Sequence, residues 1–183
     1  MRRNSVNVQK KSKLRIRRSL LLLGAIAFIA LWILLIWSMS AQSYQQQTIQ
    51  PLLHKLSDQV RIGFTLPNVT INYGEKQYSL QQKPFDFLEF VFRKGGHLFI
   101  YAVLAVLVYG TLRYRKQSTI TAALFALCVV ILIACIDEYI QQFSPNRTAS
   151  IRDVGVDFVG GCLGIIFYTL GKKLFKRRSK KEN

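Results

Sequence analysis

The sequence predicts an all-α membrane protein: four transmembrane helices, with an extracytoplasmic loop between helices 1 and 2 that has room for a short β-hairpin. Three observations predict it. Half of the 183 residues are hydrophobic, and they stand in long blocks rather than dispersed. The formal charge of +17 is concentrated at the two ends and in one short turn. Between two of the apolar blocks lies CIDEYIQQFSPNRTASIRDVGVDFVGG, from Cys135 to Gly161, which gathers Asp137, Glu138, Arg147, Arg152, Asp153 and Asp157.

Residues 1–18 form a basic tail holding Arg2, Arg3, Lys10, Lys11, Lys13, Arg15, Arg17 and Arg18. The first transmembrane helix is placed at 19–39, because Leu20 to Trp37 reads LLLLGAIAFIALWILLIW. That length suits a hydrocarbon core of about 30 Å. It exceeds the roughly 7 to 15 apolar residues of a signal peptide. A retained anchor is therefore expected, with cleavage near Ser38–Ala41 (SMSA) as the alternative.

Residues 40–93 form the extracytoplasmic loop. Lys55, Arg61, Lys76 and Lys83 balance Asp58, Glu75, Asp86 and Glu89. QTIQPLLHKLSDQV suits a short amphipathic helix lying on the membrane, and Leu66-Pro67-Asn68 a break. VTINYGEKQYSL alternates about Gly74-Glu75, which suggests a hairpin. His54 reads as a solvated or interfacial histidine.

Residues 94–171 hold the other three spans, near Gly96–Leu112, Ile120–Ile136 and Val154–Leu170, and 172–183 is a second basic tail. With four spans, both tails and the turn carrying Arg113, Arg115 and Lys116 share one side. The positive-inside rule makes that side the cytoplasm, so both termini are cytoplasmic and the protein is multi-pass. Topology and anionic lipid headgroups then account for the charge. No basic–aromatic interleaving points to nucleic acid. Cys128, Cys135 and Cys162 form neither a disulfide framework nor a zinc motif and read as small buried hydrophobes.

This topology brings three polar groups to one height. Lys94, His97 and Tyr101 share a helix face. Asp137, Glu138 and Gln141 end the third span, and Asp153 and Asp157 begin the fourth. A charged residue at mid-bilayer costs about 2.5 to 3.5 kcal/mol, less toward the interface. Asp157 is therefore expected to be paired, protonated or facing a wet cavity. Arg147 and Lys94 are the available cations and His97 the switchable donor. The result is a polar pocket at the outer interface, closed by the segment from Glu138 to Asp153, with Ser150 capping the fourth span. Gly160 and Gly164 let another helix pack closely, inside the chain or in a homo-oligomer.

RKGGHLFIYAVLAVL and DEYIQQFSPNRTASIRDVGVDFVGGCLG together resemble the VanZ family of small bacterial membrane proteins. The resemblance rests on Lys94, His97 and Tyr101; on Asp137, Glu138 and Gln141; on Pro145 and Arg147; and on Asp153 and Gly160. It runs from about Phe92 to Leu170. Asp157 departs from it, standing where the family usually has Asn. The family takes its name from a protein linked to resistance to teicoplanin, a lipid-tailed glycopeptide. The resemblance thus implies a cell-envelope setting but supplies no activity, and it does not make this member a resistance protein.

Two function classes follow. In the first, the pocket binds a membrane-lipid headgroup, a lipid-linked cell-wall precursor or a lipoglycopeptide antibiotic. Lys94, Tyr101, Asp137, Gln141, Arg147, Asp153 and Asp157 would line it. In the second, a membrane enzyme acts on a lipid-linked substrate, with His97 and Glu138 as acid and base and Arg147 stabilising an anion. A metal would need His97 with Asp137, Glu138 or Asp157. One histidine among scattered acids has no metal spacing, so no metal or cofactor is expected. A transporter is disfavoured, because the inner halves of the spans are nearly devoid of polar groups.

Overall fold

The computed structural model describes residues 2–59, 67–74, 76–145 and 150–179. Its elements are α1 (Arg2–Ser40), α2 (Tyr44–Gln47), α3 (Gln50–Gln59), β1 (Thr70–Tyr73), β2 (Lys76–Ser79), α4 (Pro84–Tyr114), α5 (Thr119–Gln141) and α6 (Ile151–Ser179). Among the described residues, four helical stretches are long and apolar enough to cross a bilayer: Lys13–Ser40, Pro84–Tyr114, Thr119–Gln141 and Ile151–Arg178. Their outer faces carry Leu20, Leu31, Phe125, Leu132 and Phe167, all well exposed. Such a girdle fits acyl chains, and helices satisfy their own backbone there.

Local sequence sets the ends. α4 opens with Pro84 in its first turn, where a missing N–H costs nothing, and Asp86 follows in that turn. The helix therefore starts well before the apolar block at Gly96, and residues 84–93 of the expected loop are helical. It closes where Lys116 adopts φ +66° and the Gln117 N–H donates to the Leu112 carbonyl at 3.1 Å. The Ser118 hydroxyl then caps α5 by accepting the Thr121 N–H at 3.0 Å. This tight reversal makes α4 and α5 antiparallel neighbours. α6 carries Asp153 in its first turn and Lys176, Arg177 and Arg178 in its last, both favourable to the helix dipole.

The core lies among α4, α5 and α6. Tyr101, Leu104, Ala105 and Val108 of α4 pack with Ala122, Ala126, Val130 and Ala134 of α5. Small side chains let the helices approach. A Cβ at Gly160 would sit 2.9 Å from the Leu98 Cα, and one at Gly164 2.9 Å from the Ala102 Cα. The helix pressed on this glycine face is thus α4 of the same chain. α1 joins less tightly: Ile36 is buried, and the Trp32 indole donates to the Ile100 carbonyl at 3.1 Å.

The expected hairpin is present. β1 and β2 are antiparallel with Thr70 opposite Ser79 and Tyr73 opposite Lys76, and Gly74 takes the left-handed conformation of the turn at φ +66°. α3 occupies the segment read as an amphipathic helix. The cysteine expectation is corrected. Cys128 and Cys135 are exposed and Cys162 is half-buried, all three unbridged. The first two lie on the outside of α5, the face of an apolar helix that suits lipid.

Candidate functional site

Antiparallel packing brings the N-terminal part of α4, the C-terminal end of α5 and the N-terminal end of α6 together at the end of the bundle away from the basic tails. Those sequence-predicted polar residues that the structure describes sit there in two groups.

The outer group ties the hairpin to the bundle. Asp153 receives both the Tyr73 hydroxyl and the Lys94 ammonium. Lys94 also stands 4.6 Å from the Tyr73 ring centroid, a favourable cation–π distance. Tyr78 stacks on Phe90 with centroids 4.2 Å apart. Partial burial, and then the hydrogen bond to the Asp153 carboxylate, hold the Tyr73 phenol above its ordinary range. Burial does the same to Tyr78. Lys94 and Asp153, read as pocket residues, thus meet each other.

The inner group lies deeper. His97 Nδ1 is 3.2 Å from Asp157 Oδ1, so Asp157 is paired as expected, and the ring of His97 lies parallel to that of Tyr101. The Gln141 amide donates to Asp137 Oδ2 at 3.1 Å. The Tyr101 hydroxyl faces the Asp137 carboxylate without closing a hydrogen bond of normal geometry. Glu138 Oε2 accepts the Ser150 N–H at 2.7 Å, joining the end of α5 to the start of α6. The Ser150 hydroxyl accepts the Arg152 N–H at 3.3 Å, in the capping role read for it. Within this inner group four buried oxygens keep no hydrogen-bond partner among the described residues: Tyr101 Oη, Asp137 Oδ1, Glu138 Oε1 and Asp157 Oδ2. Such atoms are rare in well-satisfied interiors and mark places where a ligand, ion or water completes the site.

Beside the inner group opens a cavity of about 430 Å³, lined by Ile36, Met39 and Ser40 of α1, by Phe92, Arg93, His97, Ile100 and Tyr101 of α4 and by Asp137 of α5. Its walls are mostly apolar and its floor polar, the usual make-up of a ligand site. Arg147 lies outside the described residues, as does part of the closing segment from Glu138 to Asp153.

Sequence reasoning missed three contributors. Tyr73 could have been found from the hairpin, since the last residue before a tight turn is held in a fixed direction. Arg93 stands next to Lys94 but one helical step round, which places it on the cavity. The α1 wall is apolar except for Ser40. It is held by Trp32 and by the Ser144 hydroxyl, which donates to the Ser40 carbonyl at 2.9 Å.

No curated protein and no solved structure matches the chain. The sequence model of the VanZ/LLP1 family matches residues 25–174, which take in part of the first membrane helix, the second and third in full, most of the fourth, the hairpin and both polar groups. The chain belongs to the VanZ/LLP1 family.

Proposed function

We propose that this VanZ/LLP1 protein binds an amphiphile at the extracytoplasmic face of a bacterial cell membrane. The headgroup enters the polar chamber and the chains lie along α1 and α4. The cavity carries this reading: one continuous space runs from Ile36, Ile49, Phe92 and Ile100 to His97, Tyr101 and Asp137. That gradient, apolar at one end and hydrogen-bonding at the other, matches a molecule with a tail and a head. The concentration of cations in both tails and the α4–α5 turn supports cytoplasmic termini, which turns the cavity outward. Arg93 on the wall suits an anionic headgroup, as would Arg147 of the sequence between α5 and α6. A lipid headgroup, a lipid-linked cell-wall precursor and a lipid-tailed antibiotic share this chemistry. Capture of the last would contribute to glycopeptide resistance.

Native mass spectrometry of protein purified in mild detergent tests the reading. Wild type is expected to carry a defined amphiphile that Tyr101→Phe and Arg147→Ala variants largely lose. Wild type carrying nothing beyond nonspecific detergent and bulk lipid would contradict it.

One observation favours a second reading, a membrane enzyme. His97 lines the cavity while Asp157 holds one of its ring nitrogens, the arrangement that orients a general base. Envelope lipids profiled with His97→Ala, Glu138→Gln and Arg147→Ala distinguish the two. A product absent from all three variants supports the enzyme. Unchanged chemistry with altered binding supports the binder.

A further inference from the structure

We infer that His97, Asp137 and Asp157 form a divalent-metal site at the floor of the cavity, of the kind that takes zinc or manganese. One imidazole nitrogen and one oxygen from each carboxylate lie within 4.8 Å of one another. Donors sharing an ion at bonds of about 2.1 Å stand roughly 3 Å apart when adjacent and about 4 Å apart when opposite. The 3.2 Å between His97 and Asp157 fits the adjacent case, and a small contraction of the triangle would complete the set.

The second observation is independent of that spacing. Asp137 and Asp157 are 0% exposed, and each keeps one buried oxygen, Oδ1 and Oδ2 respectively, without a partner among the described residues. If both are ionised, two buried carboxylates beside one imidazole carry more negative charge than a protonated ring offsets, and uncompensated buried charge is costly. A divalent cation balances both. The donor set also fits: imidazole suits zinc and iron, carboxylate suits manganese and magnesium, and their mixture selects the borderline ions. Gln141 fixes the Asp137 carboxylate from behind, as residues supporting metal ligands do. Three protein ligands leave positions open. His97 and Asp137 line the cavity, so those positions face it and accept water or an anionic oxygen. The metal site concerns the same chamber as the amphiphile reading but does not depend on it.

The test uses full-length protein in detergent with a tag free of histidine, stripped by chelator and desalted. Zinc and manganese are titrated separately by calorimetry, bound metal is counted by mass spectrometry, and thermal unfolding is followed with metal and with chelator. Wild type is expected to retain about one equivalent and to unfold at a higher temperature with metal. Asp137→Asn and Asp157→Asn should each weaken binding at least about tenfold, while His54→Ala leaves it unchanged. Wild type that binds neither ion and melts identically with metal and with chelator overturns the site, whatever the variants do. Metal binding without a co-purified amphiphile would leave this site standing and remove the amphiphile. The converse result would remove the metal alone.

Discussion

Asp153 joins three parts of the molecule through one carboxylate: the first turn of α6, Lys94 of α4 and Tyr73 of the hairpin. The hairpin has few other anchors, chiefly the rings of Tyr73 and Tyr78 on Phe90. Tyr73→Phe keeps the ring and removes the donor, and should cost about 1 kcal/mol, since the site is partly exposed. The phenol is held above its ordinary range in the folded protein. Its contribution is therefore complete below the unfolded value of about 10 and is lost as pH rises beyond that toward the folded value. Thermal unfolding from neutral pH to pH 11 should show wild type losing its advantage over Tyr73→Phe only at the alkaline end; a constant difference would remove the titrating phenol from the account. At this scale the sequence was informative wherever charge was out of place. Asp157 within an apolar span called for a partner, a proton or a wet cavity, and it has His97 as a partner. Tyr73 was silent because a tyrosine in a strand is ordinary until the hairpin's docking position is known. Lys94 was legible as polar but not as Asp153's partner, since both were equally near other charges in the sequence.

At the scale of elements, the packing of α6 on α4 depends on having no side chain at two positions. Gly160→Ala and Gly164→Ala each drive a methyl into the α4 backbone at Leu98 and Ala102, and overpacking of this kind costs about 1–3 kcal/mol. Gly155→Ala and Gly171→Ala meet nothing within 4 Å among the described residues and should be neutral or slightly stabilising through helix propensity. Thermal midpoints of the four variants in one detergent separate the two classes. Equal midpoints for all four would mean α4 and α6 are not in close contact. The spans were readable because about 18 to 20 apolar residues in a row have few other uses, and the hairpin because alternation around a Gly turn is a local signal. The start of α4 was not readable. Hydropathy marks where lipid begins, whereas Pro84 and Asp86 start the helix earlier, outside the apolar block.

For the whole molecule, the site exists because alternate helix ends fall at the same height. That much follows from counting spans, which is why the polar cluster was legible before any coordinates. The cavity was not. One of its walls is α1, whose block from Leu20 to Trp37 is apolar all round, with nothing in that block to say which face turns inward until Trp32 and Ile36 are seen against α4 and α5. The matched region from 25 to 174 starts within α1 and so includes that wall.

Groups distant in the chain meet in one chamber, and a double-mutant cycle on His97 and Asp157 measures whether they touch. Unfolding free energies of wild type, His97→Ala, Asp157→Asn and the double variant are measured in one detergent, with chelator present throughout. Contact across α4 and α6 predicts a coupling of about 1–3 kcal/mol between the two substitutions. Effects that simply add, within about 0.5 kcal/mol, would place the two side chains apart and contradict the chamber.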